Sequence, residues 1–299
     1  MKILLLGKNG QVGWELQRSL TPLGELVALD RNGTDDLCGD VSTPDVLAAA
    51  VRKVRPDVIV NAAAYTAVDR AESEPELAHT INATAPAVLA AEAAKLGAWL
   101  VHYSSDYIFD GSGIRPWQED STARPLNVYG WTKLKGEEEI RASGCLHLIF
   151  RTSWVYSARG GNFARTVLRL AEERESLNVI DDQHGAPTGA ELLADCTASA
   201  LHRARQCPSV SGAYHLTAGG ETTWHSYAVH VIERAHRTQR ALKLTPDAIR
   251  AVPTSAFPSP AQRPANSRLA TTKFRDTFGL VLPDWRIGVN RTLDEILVR

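Results

Sequence analysis

Tyr129-Gly130-Trp131-Thr132-Lys133 places a phenol and an ammonium four residues apart. On a helix this spacing sets both groups on one face, within contact range. A phenol titrating near pH 10 is a weak acid at neutral pH, and a neighbouring cation favours its ionised form. Lowering the value by about three units needs roughly 4 kcal/mol. Such a pair can give a proton to a nascent alkoxide. A hydroxyl is also at hand: Ser104-Ser105-Asp106 follows an apolar run beginning near Trp99, and Ser105 could hydrogen-bond a substrate carbonyl oxygen.

A second group of residues could hold phosphate. Gly7-Lys8-Asn9-Gly10-Gln11-Val12-Gly13 follows the first apolar run and leads into an amphipathic stretch carrying Val12, Leu16 and Leu20. Glycine lets the chain turn tightly and approach a pyrophosphate, and a helix N-terminus adds partial positive charge. This G-x-x-G-x-x-G spacing matches the general G-x-G-x-x-G dinucleotide fingerprint only in part. Asp30 closes the next apolar run, Glu25 to Leu29, where a carboxylate would accept hydrogen bonds from an adenosine ribose and favour NAD. Arg31 follows at once and could pair with the 2′-phosphate of NADP, so NADH and NADPH both stay open. A positively charged nicotinamide ring would further favour phenolate at Tyr129.

The elements that must position these groups alternate through the first half. Lys2 to Leu6, Val58 to Val60 and Trp99 to Val101 are short apolar runs, the pattern of strands buried on both faces. Thr43 as N-cap and Pro44 at the first helical position open a stripe of Val46, Leu47, Ala50, Val51 and Val54. A longer helix is predicted from Glu76 to Leu96, kinked at Pro86 and stopped by Gly97. The alternation predicts an α/β fold, a Rossmann-type doubly wound parallel sheet. After Arg151 the rhythm breaks into loop-rich pieces, including a Pro-rich stretch from Ala251 to Pro264. Residues 1–153 read as a dinucleotide-binding domain and 154–299 mainly as a smaller substrate-binding lobe, with about 191–216 returning to the sheet.

Composition narrows the class. The chain of 299 residues has 44% apolar and 22% charged residues and a formal net charge of -1, which fits a globular enzyme and excludes global disorder. Near balance of charge gives no electrostatic case for nucleic acid or an anionic membrane, so a small-molecule partner fits better. The opening apolar stretch is interrupted by Lys8 and is too short for a signal peptide, and no run is long enough to cross a membrane. Four cysteines lack paired spacing, so a reducing cytoplasm is the expected setting. No histidine pair has metal-ligand spacing, which argues against a catalytic metal.

Taken with further blocks, these residues resemble the extended short-chain dehydrogenase/reductase superfamily and, within it, the dTDP-4-dehydrorhamnose reductases. The blocks are Gly7 to Gly13, Asn61 to Ala64, Ser104 to Gly111, Pro125 to Gly130, Arg151 to Tyr156, Asp182 to Thr188 and Arg263 to Ser267, spread over nearly the whole chain. Two positions depart from the family pattern: Ser105 replaces the usual threonine but keeps the hydroxyl, and His184 replaces an aromatic residue. The resemblance implies that reduced nicotinamide supplies hydride, Tyr129 donates the proton, Lys133 tunes it and holds the nicotinamide ribose, and Ser105 assists at the carbonyl of dTDP-4-dehydro-L-rhamnose. It implies cofactor contacts at Gly10, Gln11, Val12, Asp30, Asp40, Val41, Ala62, Ala63, Ala64, Tyr65, Thr66 and Tyr103. Substrate contacts are implied at Ser105, Asp106, Trp154 and Arg263. It also implies a homodimer, magnesium at Glu15, Glu191 and Glu295, and a rhamnose product destined for lipopolysaccharide or another bacterial surface glycan. Two alternatives differ at named points. A sugar-nucleotide dehydratase would carry adjacent Asp and Glu where Asp106 is followed by Tyr107, and an epimerase would recycle its NAD. A non-catalytic subunit like the methionine adenosyltransferase beta subunit would not need the intact Tyr129, Lys133 and Ser105.

Overall fold

The computed structural model describes residues 1–33, 36–238 and 241–297. Five strands in chain order, β1 (Lys2–Leu6), β2 (Glu25–Leu29), β3 (Val58–Asn61), β4 (Trp99–Ser105) and β5 (His147–Thr152), join the strand Gly212–His215 in one parallel sheet. From edge to edge the order is Gly212–His215, β5, β4, β3, β1, β2. The order reverses at β1, which lies between β2 and β3, so the crevice opens at the C-terminal ends of β1 and β3.

Strand periodicity sorts the apolar side chains into two layers. Ile3, Leu5, Val60 and Phe150 meet Leu16 and Leu20 of helix Gln11–Leu20 and Leu193 and Leu201 of helix Ala190–Gln206. Leu4, Leu6, Ile59 and Ile149 meet Leu47 and Val51 of helix Pro44–Val54 and Leu89 and Ala93 of helix Ala85–Leu96. Both faces are therefore covered, which is why these strands read as unbroken apolar runs. Helix Ala190–Gln206 and strand Gly212–His215 thus belong to the sheet although they come late in the chain.

Two helix expectations need correction. Val46 is 44% exposed and lies off the buried stripe of Pro44–Val54, and the Thr43 side chain gives no cap hydrogen bond because its hydroxyl donates to the Asp40 carbonyl instead. The region from Glu76 to Leu96 is continuously helical and stops at Gly97 as expected: it runs as α over Pro75–His79, widens to a π turn over Thr80–Thr84 and returns to α over Ala85–Leu96, with right-handed helical dihedrals at both junctions. Pro86 lies inside that continuous helix, just past the π segment, where it has no N–H to give to the preceding turn. Gly97, at φ +66, ends that helix as its residue type predicts.

The rest of the second half forms a smaller lobe. Helices Phe163–Glu173, Trp224–His236 and Trp285–Leu297 share a core of Val167, Leu168, Tyr227, Val231, Trp285 and Leu293. Strand Ile249–Val252 pairs with Leu177–Ile180, so the start of the Pro-rich stretch is strand rather than loop. All four cysteines are free. Among the described residues no helix is long and apolar enough to cross a membrane.

Candidate active site

The glycine loop is fixed by close backbone approach. Gly7 takes φ +82, and a Cβ there would lie 2.8 Å from the Ala63 nitrogen in the turn after β3. A Cβ on Gly13 would stand 2.0 Å from the Gly7 carbonyl oxygen. Only glycine allows this turn to tuck under helix Gln11–Leu20. Gly10 is the helix N-cap, with no side-chain cap hydrogen bond, so the first helical amides keep their donor capacity for a ligand.

That loop forms one end of a cavity of about 1000 Å³. Its walls include Gly7, Gly10, Gln11, Val12, Asp30, Arg31, Asp40, Val41 and the run Ala62 to Thr66. Tyr103, Ser105, Asp106, Tyr129, Lys133 and Trp154 complete the other end. Two expected contacts are absent from this wall. Gly13 is buried beneath the loop and serves its packing. Arg263 instead pairs with Asp69 at 2.6 Å and donates to the Ser259 hydroxyl. Asp30 already accepts from Asn9 Nδ2 at 2.5 Å and from the Asn32 amide at 2.9 Å, with Lys8 at 3.9 Å, so its carboxylate is fixed by its own loop.

Tyr129 stands in the first turn of helix Val128–Ala142. Asn127 caps that helix by accepting from the Gly130 amide at 2.8 Å and is tied down by donating to the Gln262 carbonyl at 2.7 Å. A Cβ at Gly130 would lie 2.1 Å from the Tyr107 carbonyl, so the glycine lets the helix start close to the β4 end. Tyr107 meets Tyr129 edge to face, with 5.5 Å between ring centroids. Burial pushes the Tyr129 phenol up to about 12, while the Ser105 hydroxyl pulls the other way and Asp106 adds to the rise. The protein alone therefore keeps the proton on the phenol.

Lys133 lies one turn on, 2% exposed, and donates to the Tyr103 carbonyl at 2.6 Å. Burial lowers its amine to about 8, against a raising effect of Glu137. Ser105 donates to Asp106 Oδ1 at 3.0 Å and accepts from the Tyr107 amide at 3.1 Å, which orients its hydroxyl at the strand end. Asp106 Oδ2 is buried without a hydrogen-bond partner. Burial pushes this carboxyl up to about 6, opposed by Ser105 and by Ser267, which stands near but outside hydrogen-bonding geometry.

Residues that the sequence did not single out also shape the site. Trp224 enters the cavity wall and stacks on Trp154. Thr152 contributes an unpartnered buried hydroxyl to the same wall. At His184 the backbone makes the links, the amide donating to Ala265 and the carbonyl accepting from Ser267. Glu15, Glu191 and Glu295 line one small recess. Arg18 stands 3.6 Å from Glu15 and Arg291 3.8 Å from Glu191, so two of these carboxylates already have cationic neighbours. Among the described residues no three His, Cys, Asp or Glu side chains form a group able to hold a metal ion, and magnesium gains no support.

Residues 1–298 match the family model described as the RmlD substrate binding domain. A dTDP-4-dehydrorhamnose reductase of Shigella flexneri is 59% identical over 296 residues, covering 99% of this chain and 98% of the relative. The chain belongs to the dTDP-4-dehydrorhamnose reductase family. Solved structures of this family share its fold over the full length. One from Clostridium acetobutylicum ATCC 824 superposes with a TM-score of 0.88 at 32% identity, covering 99% of both chains. Another from Bacillus anthracis str. Ames, solved in complex with NADP, gives 0.86 at 31% identity, covering 98% of this chain and 99% of that one.

Proposed function

We propose that the chain reduces the C4 carbonyl of dTDP-4-dehydro-L-rhamnose to the alcohol of dTDP-L-rhamnose, consuming NADPH or NADH. The observation that carries this reading is that one cavity joins the glycine loop to Ser105, Tyr129 and Lys133. The loop fits a dinucleotide pyrophosphate, because Gly7 and Gly13 bring backbone where any Cβ would collide and Gly10 leaves helix amides uncapped. Gln11 and Val12 would hold the phosphates, Asp30 and Arg31 border the adenosine end, and Lys133 would hold the nicotinamide ribose. When bound, reduced nicotinamide supplies the hydride that the carbonyl carbon accepts.

The chain's own part is proton delivery and orientation. Ser105 Oγ hydrogen-bonds the carbonyl oxygen and draws it toward the phenol. Tyr129 Oη then gives its proton to that oxygen as negative charge builds there. A phenol kept protonated by burial is the right starting state for a donor. Trp154 and Asp106 border the sugar. The wider setting implied by family resemblance is a cytoplasmic homodimer whose product feeds a bacterial surface glycan such as lipopolysaccharide.

Mixing the protein with dTDP-4-dehydro-L-rhamnose and following loss of NADPH and NADH absorbance tests the reading. One cofactor oxidised per sugar reduced is expected, which also separates a reductase from an epimerase that recycles NAD. No absorbance loss with either cofactor overturns it.

A further inference from the structure

Gln11 opens helix Gln11–Leu20 and lines the cavity beside the glycine loop. Its side chain reaches from the sheet domain to the lobe: Oε1 stands 3.1 Å from Asn162 Nδ2 and 3.2 Å from Ser157 Oγ. Asn162 caps helix Phe163–Glu173, its Oδ1 accepting from the Arg165 amide at 3.1 Å. That bond fixes the Asn162 amide, so it turns an NH2 group toward Gln11. The NH2 donates one hydrogen to the Ser157 carbonyl at 2.8 Å and keeps the other for Gln11. Gln11 must therefore present its carbonyl oxygen to the lobe and turn its own NH2 away. Among the described residues no protein atom accepts from that Nε2.

The same loop meets the start of the helix at two more points. A Cβ on Gly160, at φ +70, would lie 3.3 Å from Gln11 Cγ, and the Arg159 guanidinium sits 3.5 Å from the centroid of the Trp14 ring. The lobe thus holds one side of the Gln11 amide. Its other side shares the cavity end where uncapped helix amides suit a pyrophosphate.

We propose that Asn162 is a positioning residue for the dinucleotide: by holding Gln11 Oε1 on the lobe, it aims the Gln11 Nε2 donors at the coenzyme phosphates. This rests on the dinucleotide reading of the glycine loop given above. Without Asn162 the Gln11 amide is free to turn over and set its oxygen against a phosphate, where two acceptors meet. Asn162 thereby strengthens coenzyme binding although it does not line the cavity.

Fluorescence titration of the full-length protein with NADPH and with NADH, in the absence of sugar nucleotide, tests this. Asn162→Ser keeps an oxygen for the helix cap and removes the NH2. The coenzymes are expected to bind N162S roughly two- to tenfold more weakly, with the melting temperature of the free protein nearly unchanged. Gln11→Met keeps the reach of the side chain but has no amide to aim. It should weaken binding roughly ten- to hundredfold, and adding N162S to it should cost nothing more. Wild-type affinity in a folded N162S protein, or the same N162S loss persisting in the Gln11→Met background, overturns the proposal. If N162S does not fold, Gln11→Met decides, and unchanged affinity there overturns the proposal. A wild type that binds neither coenzyme fails the dinucleotide reading itself, whereas binding that is indifferent to N162S fails the proposal alone.

Discussion

Trp154 and Trp224 lie face to face, with 3.6 Å between ring centroids and 14° between planes. Gly185 closes against the Trp154 indole as well, since a Cβ there would sit 2.7 Å from Cε2. Trp154 adopts φ +50, a conformation that bulky residues rarely hold. The stack and the glycine together keep a strained residue at the cavity wall, and Trp224 is steadied by donating from Nε1 to Gln183 Oε1 at 3.1 Å.

Trp224→Ala should therefore loosen Trp154 without touching the proton donor. Aromatic stacking contributes about 0.5–1.5 kcal/mol, so KM for the nucleotide sugar should rise roughly two- to twelve-fold while kcat changes less. Steady-state kinetics at saturating NADPH reads both constants.

Tyr129→Phe keeps the ring against Tyr107 and removes the donor. The expected loss in kcat is roughly 10²- to 10⁴-fold, with NADPH affinity, followed by fluorescence titration, nearly unchanged. Wild-type turnover in this variant would remove Tyr129 from the reaction.

Asp106 links catalysis to stability. Its carboxyl is raised to about 6 by burial, so the folded state holds its proton more tightly than the unfolded chain, which releases it near 3.8. The stability this group contributes is complete below that unfolded value and fades as pH climbs through about 6. Asp106→Asn should consequently make the protein more stable at pH 7, by about 1–3 kcal/mol, and flatten this part of the pH dependence. Urea unfolding of both proteins at pH 5 and pH 7 measures the difference; lower activity in the more stable variant is also expected.

Glu137 and Arg151 form a buried ion pair at 2.8 Å. Burial alone would raise the Glu137 carboxyl, but Arg151 outweighs it and holds the group below the usual carboxylate range. Its stabilising effect is thus present above about pH 4.5 and lost as pH falls through the lower folded value. Glu137→Gln leaves Arg151 buried without its counter-charge and should destabilise by about 3–5 kcal/mol near neutrality. The penalty should shrink in acid, as thermal melts at pH 7 and pH 4 would record.

Local patterns in the chain carried most of the architecture. β1 is legible to the residue because burial on both faces leaves an uninterrupted apolar run ending at Gly7, and the edge strand β2 is legible from its apolar run between Gly24 and Asp30. Tyr129 and Lys133 are legible because one helical turn sets their separation. Val46 misled because an apolar type at helical spacing carries no information about whether anything covers that face. Pro86 signals an irregularity but not its form: the helix runs on, and the irregularity is the π turn just before the proline, where Gly136 comes close to the Asn82 carbonyl. Arg263 and Trp224 depend on partners far along the chain, Asp69 and Trp154, and no local spacing signals such pairs.

The route of the polypeptide limits how the cleft can move. The backbone leaves the sheet after Thr152, comes back with helix Ala190–Gln206, leaves again after His215 and returns with Phe274 before ending in the lobe at Trp285–Leu297. Several covalent crossings act as parallel straps, so the halves cannot swivel as if on a single tether. Severing the gene at residue 153 would strip β5 of its outer neighbour, leaving a bare hydrogen-bonding edge that invites self-association.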